Sequence, residues 1–122
     1  MNGESASASR MLDDILRKDW GFDGYVVADC AAVRDIYTEH RIVDTAEAAS
    51  ALALTNGTDL DCGNTYAALP AAVRAGLIDE AKLDTALVRL MSTRFRLGMF
   101  DPPAQVPWAA IPYSVNQSAE HD

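Results

Sequence analysis

Apolar positions recur along this chain with more than one period. Met11, Leu12, Ile15 and Leu16 fall three and four apart, with serines ahead of them and Arg17 and Lys18 behind, where cations complement the negative end of a helix dipole. This spacing predicts a first helix. After the turn-rich Trp20-Gly21-Phe22-Asp23-Gly24, the run Tyr25-Val26-Val27-Ala28 shows no polar alternation, the pattern of a short parallel strand covered on both faces. The run ends on an acid, Asp29, followed by Cys30.

Asp44-Thr45-Ala46-Glu47 reads as an acidic N-cap with a glutamate three residues on, opening an alanine-rich helix that stops at Asn56-Gly57. Thr58-Asp59-Leu60-Asp61 is then a short extended piece, and residues 66–75 a further helix ended by Gly76. The longest helix is predicted from Asp79 to Leu97, with Leu83, Leu87, Leu90 and Leu97 on one stripe and Gly98 just past its end. Pro102, Pro103, Pro107 and Pro112 punctuate an aperiodic tract that reads as an extended linker. The order of helix, strand, helix, strand, helix is that of an α/β protein with a parallel sheet, yet two strands leave sheet edges unprotected.

Composition narrows the choice of partner. The 122 residues, 49% hydrophobic, suffice for a domain with a core, and the net charge of −8 opposes nucleic acid or an anionic membrane as partner. No apolar run is long enough to span a bilayer, and residues 1–20 lack the basic start and apolar middle of a secretory signal. Two cysteines with His40 and His121 do not make a four-ligand zinc site. Cys30 and Cys62 each follow an acid at the end of an expected strand, so neighbouring strands would let the thiols approach; the alternative is two buried, reduced thiols.

Four segments resemble the glycoside hydrolases of family 3, the β-glucosidases and β-xylosidases. The stretch from Leu16 to Cys30, LRKDWGFDGYVVADC, is similar to the family's nucleophile segment, and NGTDLDCG from Asn56 to Gly63 to its next strand. RFRLGMFDPP, from Arg94 to Pro103, is similar to the sequence ending the first domain, and Met1-Asn2-Gly3 to the close of the preceding strand. The segment from Glu4 to Ser9 departs from the family, which more often shows Pro and a Cys or Ser there. Ala28 stands where Ser is more usual, and Cys30 where many members have Trp, the Cys form being common in the xylosidase-like branch.

This resemblance implies an α/β fold: the last strand–helix units of a (β/α)₈ barrel in residues 1–98, helix-rich, with an extended interdomain linker over 99–122. It implies retaining hydrolysis of a terminal β-linked glucose or xylose without a cofactor, with Asp29 as nucleophile. Such catalysis needs a second carboxyl group as acid/base. Glu39, Glu47 and Glu80 have readier local explanations, in a charged loop, a capping box and a helix first turn respectively. The chain alone is therefore expected to be inert.

Other polar groups have local readings. Asp59 and Asp61 are expected to accept backbone amide bonds at a strand-end turn, the alternative being that they face a sugar. Arg89, Arg94 and Arg96 read as dipole complements and domain-interface contacts rather than ligand anchors. Asn56-Gly57-Thr58 and Asn116-Gln117-Ser118 match the N-glycosylation pattern, which is short enough to arise by chance. A second reading of the whole chain is a non-catalytic helical module, self-associating into a homo-oligomer through exposed strand edges.

Overall fold

The structure, a computed structural model, describes residues 3–121. The resemblance seen at Met1 and Asn2 lies outside the described residues. The chain divides into two compact units, one extending to Met91 and the other beginning at Ser92.

In the first unit, α2 (Ala46–Thr55) is the centre of the core. Ala49 and Ala53 pack into one apolar cluster with Ala8, Ala28, Val33 and Ile36, while Ala51 and Leu54 pack into a second with Ala72, Ile78 and Ala86. A helix buried on opposite faces must be apolar nearly all round, and alanine lets its neighbours approach closely. Tyr66 packs against both clusters. α2 ends as its sequence predicts: Gly57 has φ 110°, Gly57 N–H donates to Leu54 O and Thr58 N–H to Ala53 O, a Schellman motif. Its start differs from expectation. The N-cap is Thr45, whose hydroxyl oxygen accepts from Ala48 N–H at 3.2 Å, so Asp44 lies one residue outside and Glu47 is not the reciprocal partner of a capping box.

Helical structure dominates. The first expected helix is a π-helix, Leu12–Asp19, in which Trp20 N–H reaches Ile15 O five residues back. α1 (Ala32–Thr38), which the periodicity did not reveal, carries Val33 and Ile36, both fully buried. The expected helix over 66–75 begins as a 3₁₀ turn, Thr65–Ala68, and continues as α3, Leu69–Arg74. α4 runs from Glu80 to Arg96. Of its expected stripe only Leu83 packs against the core; Leu87 is 51% exposed, because Ala86 is the residue α4 buries.

The expected strands contract to one parallel bridge among the described residues, Val27 with Leu60. Asp59 N–H and Leu60 N–H both donate to Val26 O, and Ala28 N–H donates to Leu60 O at 2.8 Å. Among its described residues the first unit is thus helix-rich, with one short extended pair in place of a sheet. In the second unit, Gly98 terminates the helical segment with a further Schellman pair, and Trp108 Nε1–H donates to Leu97 O at 2.8 Å. The Pro-rich tract winds into 3₁₀ turns at Pro103–Gln105, Pro107–Ala110 and Tyr113–Asn116. No helix among the described residues is long and apolar enough to cross a membrane.

Candidate active site

Asp29 emerges where the extended segment leaves the core. Ala28 is buried with residues of α1 and α2 and Asp29 is exposed; Val27 is also exposed, so the run is not covered on both faces as its lack of polar alternation suggested. Its Oδ1 accepts Cys30 N–H at 2.9 Å and its carbonyl accepts Ala32 N–H at 3.0 Å. Ala31 follows in the left-handed region at φ 70°, turning the chain into α1. Cys30 is bonded to Cys62, with Cα atoms 4.5 Å apart, so the parallel pairing does bring the two thiols together. The open question of bridge or reduced thiols is settled for the bridge, and both cysteines are solvent-exposed.

The extended pair is held by charge. Asp59 is buried and accepts Val26 N–H at 2.8 Å, as expected of a backbone-binding acid. It also forms ion pairs with Arg17 and, at 3.0 Å, with Arg89. The reading of Arg89 as a dipole complement is corrected here: α4 continues seven residues past Arg89, so that side chain is mid-helix and reaches inward. Arg17, by contrast, does stand in the last turn of its helix and pairs with Asp59 as well. Arg17 further donates to Gly24 O at 2.9 Å and Gly57 O at 3.3 Å. Burial pulls the Arg17 guanidinium below its usual pKa, with the Asp59 carboxylate opposing that fall. A cavity of about 240 Å³ lies beside Asp59 and Arg89, lined also by Asp13, Asp79, Lys82 and Thr85; Asp29 is not part of its wall.

Among the described residues Asp61 bonds only to the backbone: Oδ1 accepts Gly63 N–H at 2.9 Å, and Oδ2 accepts Thr65 N–H at 2.7 Å and Tyr66 N–H at 3.2 Å. Tyr66 O–H donates to Thr58 O at 2.6 Å, and burial together with the Asp61 and Asp59 carboxylates raises its pKa well above the phenolic range. Of the two glycosylation patterns, Asn56 uses its amide to hold Ala8 O, and Thr58 donates its hydroxyl to Ser7 O at 2.8 Å.

The candidate acids do not gather around Asp29. Glu39 caps the end of α1, Glu47 lies in the first turn of α2 and Glu80 opens α4; none shares a hydrogen bond or ion pair with Asp29 among the described residues. Nor do three or more His, Cys, Asp or Glu side chains converge in a metal-binding group among those residues. The arrangement offers one exposed carboxylate on a well-anchored strand end.

Comparison with known proteins gives this geometry its context. Residues 1–93 match the family model described as glycosyl hydrolase family 3 N terminal domain. The chain is 45% identical over 109 residues to a xylan 1,4-beta-xylosidase of Xylanibacter ruminicola and 41% identical over 108 residues to a probable exo-1,4-beta-xylosidase of Aspergillus terreus. These matches take in 88% and 85% of this chain but only 13% and 14% of those proteins. Among solved structures, a GH3 exo-beta-xylosidase in complex with a xylobiose aziridine activity-based probe superposes with a TM-score of 0.84 at 31% identity, over 93% of this chain and 15% of that one. A β-glucosidase of Erythrobacter marinus gives 0.83 at 36% identity, over 98% of this chain and 16% of that one. With the family model matched from the first residue into α4 and the backbone superposing on both enzymes, the chain belongs to glycoside hydrolase family 3, as a helix-rich fragment of its N-terminal (β/α)₈ domain.

Proposed function

We propose that this chain carries the nucleophile-bearing, C-terminal part of the family's barrel, with Asp29 as the carboxylate that attacks the anomeric carbon of a terminal β-linked xylose or glucose. The observation that carries the reading is the place of Asp29, exposed one residue beyond buried Ala28 at the C-terminal end of a segment paired in parallel with its neighbour. Parallel barrels display their chemistry at that end of their strands. The identity to a xylan 1,4-beta-xylosidase supports xylose over glucose. Residues 99–122 begin the linker to a following domain.

The parent reaction is retaining hydrolysis through two carboxyl groups about 5–5.5 Å apart. Asp29 supplies one of them, and Glu39, Glu47 and Glu80 each sit at a helix terminus where a local role accounts for them. The chain alone is inert, because general acid catalysis, worth about 10²–10⁴-fold, and most of the sugar-orienting pocket lie outside it. The partner is a neutral β-xyloside or β-glucoside; the charge of −8 disfavours nucleic acid and anionic membranes.

The test transplants residues 1–93 into the matching segment of the Xylanibacter ruminicola xylosidase and adds a 2-deoxy-2-fluoro-β-xyloside with a good leaving group. One fluoroxylosyl adduct should appear by intact mass and map to Asp29, and Asp29→Asn should abolish it. A hydrolytically active chimera labelled at another residue would overturn the assignment. The isolated chain should remain unlabelled, and an adduct there would overturn its inertness.

One observation favours the second reading, a self-associating module. Val27 is 52% exposed beside a single bridge, and Leu87 and Val88 project from α4. Exposed strand edges of this kind invite pairing with a second copy. Sedimentation of a strictly monomeric chain at high concentration would sink this reading.

A further inference from the structure

The turn that carries Asp29 is anchored very differently from the turn it is bonded to. Up to Ala28 the extended segment is tied to its neighbour by backbone bonds, the last being Ala28 N–H to Leu60 O. Beyond that point the hydrogen bonds of residues 29–31 among the described residues are local: Cys30 N–H to Asp29 Oδ1, Ala32 N–H to Asp29 O and Asp35 N–H to Ala31 O. The long-range tie of this turn is the Cys30–Cys62 bond, which closes a separation of 32 residues.

Cys62 is held from the other side. The buried Asp61 next to it accepts three amide bonds, from Gly63, Thr65 and Tyr66, and these fix the turn whether or not Cys62 is bonded. Both cysteines lie at the surface, so an incoming thiolate reaches the sulfurs without disturbing Val33, Ile36 or Ala49 of the core. Exchange rates at a disulfide depend on such access.

We propose that Cys30–Cys62 is a thiol-exchange site for low-molecular-weight monothiols in the folded protein, and that opening it releases the Asp29 turn while leaving the Cys62 turn and the core in place. In the first step a monothiolate attacks one cysteine sulfur, the Sγ–Sγ bond breaks, and the other cysteine leaves as a thiolate that takes a proton from water. In the second step another monothiol attacks the mixed disulfide, freeing the remaining cysteine and giving the oxidised monothiol dimer. Two thiols supply the two electrons. The proposal concerns the order of residues 29–31 and stands whether or not Asp29 is a nucleophile, so its failure and that of the functional assignment are read by separate experiments.

The full chain is equilibrated without denaturant in buffers of reduced and oxidised glutathione, thiols are trapped with N-ethylmaleimide for intact mass, and amide exchange is followed by NMR. Two adducts should appear, with exchange at Cys30 and Ala32 rising about tenfold or more while Ala28, Ile36 and Thr65 keep their protection. Excess oxidised glutathione should restore the original rates. A bond that yields only after denaturant is added overturns the proposal, as does reduction that leaves Cys30 and Ala32 unchanged or that speeds exchange at Ile36 and Thr65 as well.

Discussion

Arg17 and Asp59, 42 positions apart, meet in a buried ion pair that fastens the π-helix to the segment leaving α2. Their side chains are 6% and 2% exposed, whereas Arg89, the second cation on Asp59, is 28% exposed. Removing one member of a buried pair strands the other charge, at a cost of about 3–5 kcal/mol. Asp59→Ala should therefore lose about that much stability in urea, and the loss of Arg89 in Arg89→Ala much less, about 1 kcal/mol, because water reaches its site. Equal losses in the two variants would contradict the picture of Asp59 as a charge held in place chiefly by Arg17.

Asp61 makes a different prediction, since it binds amides rather than cations. Asp61→Ala leaves Thr65 N–H, at a buried residue, without its acceptor, together with the amides of Gly63 and Tyr66. An unsatisfied buried donor costs about 1–3 kcal/mol, and the loss should appear as faster exchange at Thr65 and Tyr66. Asp61→Asn keeps one carbonyl acceptor and should recover part of the protection. Unchanged exchange in Asp61→Ala would show that the backbone holds this turn unaided.

The helix terminators were legible because glycine carries information at single positions: Gly57, Gly76 and Gly98 all stand at positive φ and close Schellman pairs. The exposed end of the apolar run at Asp29 and the parallel sense of the Val27–Leu60 pairing were legible from the run and its neighbours. α1 was not, since seven residues starting from left-handed Ala31, with no side-chain cap, give only Val33 and Ile36 as a period. The ion pairs on Asp59 were hidden for a tertiary reason. Whether Arg89 complements a dipole or reaches a carboxylate 30 residues away depends on how α4 packs, which no local pattern encodes. Strand pairing shrank to one bridge because neighbouring extended segments set sheet length, and the described residues pair only two.

Two of these glycines should respond differently to the same substitution. A Cβ at Gly57, where φ is 110°, meets Leu12 Cβ at 3.2 Å; at Gly76, where φ is 69°, it meets open space. Left-handed backbone costs an L-residue about 1–2 kcal/mol. Gly76→Ala should show roughly that loss in urea, and Gly57→Ala more, because Leu12 must give way as well. A Gly57→Ala chain as stable as Gly76→Ala would mean that the π-helix yields freely at Leu12.

Tyr66 should govern the alkaline limit of stability. Burial, helped by the Asp61 and Asp59 carboxylates, raises its folded-state pKa above the ordinary value of 10.0. The neutral phenol therefore favours the folded state, a contribution fully present below about pH 10 and lost as pH climbs through the folded value. Lys18, whose pKa is raised first by its bond to Asp14 and then by Asp13, adds a smaller loss of the same sign from the surface. Tyr66→Phe removes the titrating group but also the donor to Thr58 O, so at pH 8 it should be less stable by about 1–3 kcal/mol. Between pH 10 and 12 the native chain should fall faster than the variant, and the gap between their urea midpoints should narrow. A gap that is constant or widening over that range would mean that the phenol ionises as readily in the folded chain as in the unfolded one.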